Sequence, residues 1–234
     1  MKLAIMQPYL FPYIGYFQLI QAADKFVVYD NIQFTKKGWI NRNRILVNGK
    51  DEFITLPLKK DSDFLNINER KLADTFTTDR IKLLRKLSEA YKKAPEFKHV
   101  FPLIESLINS NEENLFGFIF QSMQSVCKYL DIKTEFVISS AIPIDHQLKA
   151  QDKVIAICKA LHASQYINPI GGLELYSKEV FKQNNIELNF IKANAVEYKQ
   201  FSDEFVSALS IIDVLMFNPK EKVQQYVQSY YTII

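Results

Sequence analysis

Apolar runs of four or five residues alternate with longer amphipathic stretches at both ends of the chain. Leu3–Met6 reads as a strand that Gln7-Pro8 ends. A helix is predicted from Pro12 to Ala23, with proline in its first turn. Lys25–Tyr29, β-branched and aromatic, reads as a second strand ending at Asp30. A helical crossover between two strands makes them parallel. The last third repeats the alternation: strand at Thr134–Ile138, helix at Asp152–Leu161, strand at Gln165–Asn168, helix at Leu173–Gln183 and strand at Glu187–Ile191. Helices at Ser210–Phe217 and Pro219–Tyr231 follow.

Between these halves the pattern changes. Ile45–Val47 and Phe53–Leu56 flank Asn48-Gly49, the strongest short hairpin signal, though Lys50-Asp51 can lengthen the loop. A short strand near Ile67–Leu72 is expected to join them. Asp79 is read as the cap of a helix running to about Lys93. A second helix is capped near Asn111 and runs from Glu112 to Leu130, apolar on more than one face and therefore buried. The expected fold is α/β: one domain over residues 1–234 on a mostly parallel open sheet flanked by helices, Rossmann-like. It carries a β-hairpin insertion at 31–75 and a helical section at 76–131.

Composition narrows the class. The chain has 234 residues, 48% hydrophobic and 24% charged, as a globular domain requires and a disordered chain does not. A net charge of +3 with scattered basic residues gives no strong sign of a nucleic-acid partner. Cys127 and Cys158 lie in apolar runs and read as buried free thiols. No run approaches a membrane span, and the N-terminal apolar stretch is too short for a signal peptide, so a cytoplasmic location is expected.

The scarce residues are informative. There are six glycines and one tryptophan, and of the 29 Lys+Arg only Arg42, Arg44, Arg70, Arg80 and Arg85 are arginine. In an open parallel sheet, ligands bind beyond the carboxyl ends of the strands. Gln7, Asp30, Ser139-Ser140 and Asn168 follow four of the predicted strands and would share that edge. Gly15 sits in a helix's first turn, where glycine costs about 1 kcal/mol relative to alanine. Either an anion approaches the helix N-terminus there or the helix packs tightly. Tyr13 and Tyr16, three apart, offer two hydroxyls on one face or belong to an aromatic stripe. Asn168-Pro169-Ile170-Gly171-Gly172 forms either an N–H nest or a plain tight turn. Gly38, Trp39, Arg42 and Arg44 fall within seven residues. Guanidinium forks suited to phosphate or carboxylate stand against a solvated edge strand as explanations. If that stretch is extended, Arg42 and Arg44 share one face and Asn41 and Asn43 the other.

His99, His146 and His162 have no metal spacing, and no phosphate-binding glycine loop or nucleophile elbow is present. Asp61-Ser62-Asp63 is read as a solvated turn rather than a metal pair. No metal is expected, and no cofactor is indicated.

Met6–Phe17, Gly38–Arg44, Tyr166–Gly172 and Leu209–Asp213 together resemble the WbqC-like family, over nearly the whole chain. That resemblance implies a bacterial protein whose relatives in several cases occur with lipopolysaccharide O-antigen and other surface-polysaccharide genes. Strand, loop, Tyr13-Ile14-Gly15-Tyr16 and strand are also similar to the His-x-Gly-His region of nucleotidylyltransferases and pantothenate-synthetase-type ligases, with tyrosine at both histidine positions. Tyrosine donates a hydrogen bond but carries no positive charge at neutral pH. Lys37, Arg42 or Arg44 would have to supply it.

The expected function is that of a transferase on an activated sugar or nucleotide-linked intermediate. The alternative is a non-catalytic binding protein on the same fold. Asp30 is the candidate general base, with Asp213 second, and Arg42 and Arg44 stabilise developing charge. Gln7, Pro8, Tyr13, Gly15, Tyr16, Lys37, Trp39, Asn41, Asn43, Asn168, Gly171 and Gly172 are expected to line one site for that small-molecule ligand.

Overall fold

In a computed structural model describing residues 1–234, the apolar runs form a six-stranded sheet. β1 (Lys2–Met6) lies between β2 (Lys25–Val28) and β6 (Gln165–Pro169). β5 (Glu135–Ile138) pairs with β2, and β7 (Glu187–Ala193) with β6, all parallel. β8 (Tyr231–Ile233) closes the β7 edge antiparallel. The expected α/β fold on a mostly parallel sheet is present.

Residues along each strand alternate between two cores, as the period of two requires. Ala4, Phe26, Val28 and Ile167 face the larger one, with α1 (Ile14–Ala22), α2 (Phe76–Tyr91), α3 (Phe97–Ile108), α4 (Leu115–Tyr129), α7 (Ile211–Phe217) and α8 (Lys220–Ser229). Leu3, Ile5, Val27 and Tyr166 face a smaller core built with α5 (Ala150–Ala160) and α6 (Lys178–Gln183).

β3 (Arg42–Val47) and β4 (Lys50–Thr55) form a separate two-stranded sheet on the larger core. Val47 pairs with Lys50, so the loop is the two residues Asn48 and Gly49 alone, and Lys50-Asp51 belongs to the strand. Both loop residues have positive φ, 50° and 78°, which suits Asn-Gly.

Several expectations are corrected. Ile67–Leu72 is not a strand. Ile67–Glu69 is a 3₁₀ turn behind an Asn66–Glu69 capping box, and Lys71 and Leu72 make only isolated bridges. α2 (Phe76–Tyr91) begins before Asp79, which lies in its first turn. α4 is capped by Asn114, not near Asn111: the Asn114 side chain accepts the Gly117 N–H at 3.1 Å. α6 starts at Lys178, because the Ser177 hydroxyl accepts the Val180 N–H there. α3 has no counterpart in the sequence reading. Pro102 interrupts its pattern but sits on the exposed side, while Val100, Ile104, Leu107 and Ile108 are buried. α8 ends at Ser229, and Tyr231–Ile233 is strand. No helix is long and apolar enough to cross a membrane.

Candidate functional site

Since β1, β2, β5 and β6 run parallel, the residues that follow them meet at one edge. The chain leaves β1 toward β2 on one side, while β6 lies on the other, so the β1/β6 gap is the switch point of the sheet. A cavity of about 430 Å³ opens there. Gln7 from the β1 end, Tyr29 from the β2 end, and Asn168, Gly171 and Gly172 from the β6 end line it, with Tyr176 beyond. The walls are chiefly apolar and aromatic, and the polar groups are amides and phenols. Burial pushes the Tyr29 hydroxyl up to about 12 and raises that of Tyr176, so both are neutral donors at physiological pH.

The crevice wall is preset. Tyr166 Oη donates to Asn168 Oδ1 at 3.0 Å, and Asn168 Nδ2 donates to the Pro169 carbonyl at 3.2 Å. Gly172 lies against that amide with no room for a Cβ, so its role is close approach of side chain to backbone. Gly171 has open space around the same position.

Asp30 is 1% exposed and is not a free base. Its carboxylate accepts the Ser140 N–H at 2.9 Å, the Ser140 hydroxyl at 2.6 Å and Asn68 Nδ2 at 2.7 Å. It ties the ends of β2 and β5 to the turn before Arg70. Asp213 is likewise engaged, accepting from Tyr91, Tyr198 and Gln200 in the larger core.

The Gln7–Pro12 loop is shaped by side chains far along the chain. Phe11 has φ 39°, uncommon for a non-glycine residue. Asn43 Nδ2 donates to the carbonyls of Leu10 (2.9 Å) and Phe11 (2.8 Å), and the Ser210 hydroxyl donates to Phe11 at 2.7 Å. Asn43 is therefore a buried clamp of the loop. Asn41 plays a similar part at the hairpin, donating to the Leu56 carbonyl at 2.9 Å. Pro8 is buried. Tyr13 and Tyr16 do not share an environment. Tyr13 is 43% exposed with its ring over Gly15, whereas Tyr16 is buried against Tyr9 and Phe26 and donates to the Gln7 carbonyl at 2.9 Å. Thus the Gly15 Cβ is missing where the Tyr13 ring lies, and the Tyr16 hydroxyl is occupied.

Arg42 and Arg44 do share a face, as alternation requires. Between them Trp39 and Phe53 stack at 6.2 Å; Arg42 lies over Phe53 at 4.6 Å and Arg44 over Trp39 at 5.6 Å. The two guanidiniums border different cavities. Arg44, Tyr13, Trp39, Tyr9 and Asn43 line one of about 210 Å³. Gln7 Nε2 donates to Tyr9 Oη at 2.6 Å, linking this wall to that of the crevice. Arg42, Lys37 and Asn41 line another of about 420 Å³ with four further basic residues. The residues expected at a single site are thus distributed over three cavities, and Pro8, Gly15, Tyr16 and Asp30 line none of the three.

Two charged positions escaped the sequence reading, as did Tyr29 and Tyr176 of the crevice. Lys153 of α5 is 5% exposed, with its ammonium over the Tyr29 ring at 5.0 Å and 3.3 Å from the His146 carbonyl. Desolvation lowers its pKa, against the pull of Asp30 and Asp145. The signal was present: Lys153 is four residues before Ile157, on the buried face of its helix. The other is Arg70, one of the five arginines. No cluster of three His, Cys, Asp or Glu side chains suited to a metal is present. Cys127 and Cys158 are free and buried, their thiols pushed up to about 12 by desolvation.

The model of the WbqC-like protein family matches residues 7–225 of the chain. The chain is 28% identical over 234 residues to Uncharacterized protein Rv1507c of Mycobacterium tuberculosis (strain ATCC 25618 / H37Rv), covering 97% of each. No solved structure matches.

Proposed function

The chain belongs to the WbqC-like protein family, and from that premise we propose that the crevice at the sheet's carboxyl edge binds an activated sugar or nucleotide-linked intermediate of bacterial surface-polysaccharide biosynthesis and that the protein transfers a group from it. The observation that supports this reading is the position of the 430 Å³ cavity, astride β1 and β6 where the strand order reverses. Gln7, Tyr29, Asn168 and Tyr176 present donors suited to hydroxyls and carbonyls, and aromatic walls suit a sugar or base face. The neighbouring cavity of Tyr13, Trp39 and Arg44 is suited to the second reactant, since the Gln7–Tyr9 hydrogen bond couples the two walls. Rate enhancement would then come from holding two reactants together, with Lys153 behind Tyr29 as the nearby charge.

The engagement of Asp30 by three donors favours a second reading, a binding protein without chemistry. Calorimetric titration with UDP-sugars, CTP and ATP, followed by product analysis after mixing with sugar acceptors, separates the two. Transfer requires binding that Asn168→Ala weakens about tenfold and a product that accumulates. Binding without product leaves the second reading. No response to any nucleotide or nucleotide-sugar refutes both assignments of the crevice.

A further inference from the structure

Arg70 is 3% exposed, and its Nε is enclosed with no hydrogen-bond partner. One face of the guanidinium rests on the Phe34 ring at 4.8 Å, and the side chain reaches the wall of the 420 Å³ cavity below the hairpin. Its backbone is firmly held: the N–H donates to the Ile67 carbonyl at 3.2 Å, and the carbonyl accepts from Leu115 at 2.9 Å. The two hairpin arginines have acceptors, although Arg44 Nε is also enclosed without one. Arg42 donates to the carbonyls of Gly38 and Lys37, and Arg44 to Asp51 and Ala208. Arginine does not lose its proton in a protein, so a buried guanidinium with an open donor set is costly unless an anion comes to it.

The rest of the cavity agrees in sign. Lys36, Lys37, Arg42, Lys59 and Lys60 line it with Arg70, six cations against the carboxylates of Asp61 and Asp63. Asp63 is taken by Lys36 at 2.7 Å, and Lys59 pairs with Asp74 at 2.7 Å outside the lining. The Asp63 carboxyl is held below its ordinary value first by the Lys36 bond, with Arg70 a lesser cause, so it stays ionised without reaching the guanidinium.

We propose that this basin is a phosphate-binding site, separate from the sheet-edge crevice, which takes the phosphate or diphosphate group of a phosphorylated small molecule. Arg70 forms its floor, and Lys37, Lys60 and Arg42 its rim. A tetrahedral oxyanion accepts the in-plane N–H groups of a guanidinium whose face is already stacked, which a lysine in that place would not offer. The assignment does not depend on the transferase reading.

Calorimetry and ³¹P NMR with inorganic phosphate, diphosphate and ATP test it. Free phosphate binding as well as ATP identifies the bare anion; diphosphate and ATP binding at least tenfold better identifies a diphosphate-bearing ligand. Arg70→Met keeps the volume and removes the charge. It is expected to weaken binding at least tenfold while melting, without anion, no lower than the wild type. Lys60→Ala, at the exposed rim, is expected to weaken binding severalfold and guards against a folding defect in the first variant. Asn168→Ala is expected to leave phosphate binding unchanged, which separates this site from the crevice. The proposal is overturned if none of the three anions binds, if binding of phosphate and diphosphate survives both basic-site substitutions, or if a single-stranded RNA oligonucleotide titrated alongside them is the only probe to bind.

Discussion

Asn168 fills the space that a side chain on Gly172 would need: a Cβ there would stand 3.1 Å from Asn168 Cγ and closer still to Nδ2, with Tyr176 at 3.5 Å. Gly172→Ala must therefore push the amide out of the place where it meets Tyr166. The expected cost is about 1–3 kcal/mol of stability, typical of an overfilled site, with loss of crevice binding in the fraction that remains folded. Chemical denaturation and ligand titration of the same preparation check both. Unchanged stability together with unchanged binding would show that Asn168 moves freely and does not shape the wall.

Asp30 is expected to act as a structural carboxylate. Asp30→Ala leaves the Ser140 N–H, the Ser140 hydroxyl and the Asn68 amide without their acceptor, at about 1–3 kcal/mol for each group that water does not reach. Asp30→Asn, which keeps one acceptor oxygen, should cost less. If Asp30→Asn abolished a measured transfer activity at full stability, the residue would be a base after all.

Asp213 makes stability depend on pH. Burial raises its carboxyl above the ordinary value, against the lowering effect of the bonds from Tyr198, Tyr91 and Gln200. The folded state then holds the proton more tightly than the unfolded chain. Its contribution is greatest below the unfolded pKa, about 4, and is lost as pH rises through the raised folded value. Asp213→Asn should remove that decline. The difference in unfolding free energy between the two proteins, measured at intervals from pH 4 to 8, isolates it from the many surface carboxylates. A difference that does not vary with pH would contradict the raised pKa.

Trp39 is the one tryptophan and is 40% exposed beside Arg44. Arg44→Ala removes a guanidinium from its ring and a partly exposed pair with Asp51. About 1 kcal/mol or less of stability should be lost, with a clear change in emission intensity. A second reactant entering the 210 Å³ cavity should alter the same emission. A ligand that binds the crevice without touching the emission would show that the two cavities work apart.

The polar part of the sheet edge was legible because polar residues follow apolar runs there, and parallel strands bring such positions together by geometry alone. Gln7 and Asn168 meet for that reason, with Gly171 and Gly172 in the loop that follows Asn168. Asn43 and Tyr16 were not distinguishable from ligand contacts. Their partners are backbone carbonyls of a loop whose shape, with Phe11 at positive φ, exists only once Ser210 and Asn43 hold it. Arg70 was hidden for a different reason. It follows a 3₁₀ turn with no periodicity, and the Ile67–Leu72 stretch reads as a strand by composition. α3 was lost to Pro102, because a proline's effect on a helix depends on which side faces water.

The two cores of the sheet are unequal, and the crevice lies where they adjoin. α5 and α6 are the only α-helices of the smaller core, whereas six helices and the hairpin build the other. A thin layer of this kind opens at lower free energy than the body it rests on. Amide hydrogens of α5 and α6 should therefore exchange with solvent as one cooperative unit, ahead of α1 and α7. A ligand bridging Gln7 and Asn168 would slow that unit selectively, so its arrival could be followed by deuterium uptake in α5 and α6 before its chemistry is known.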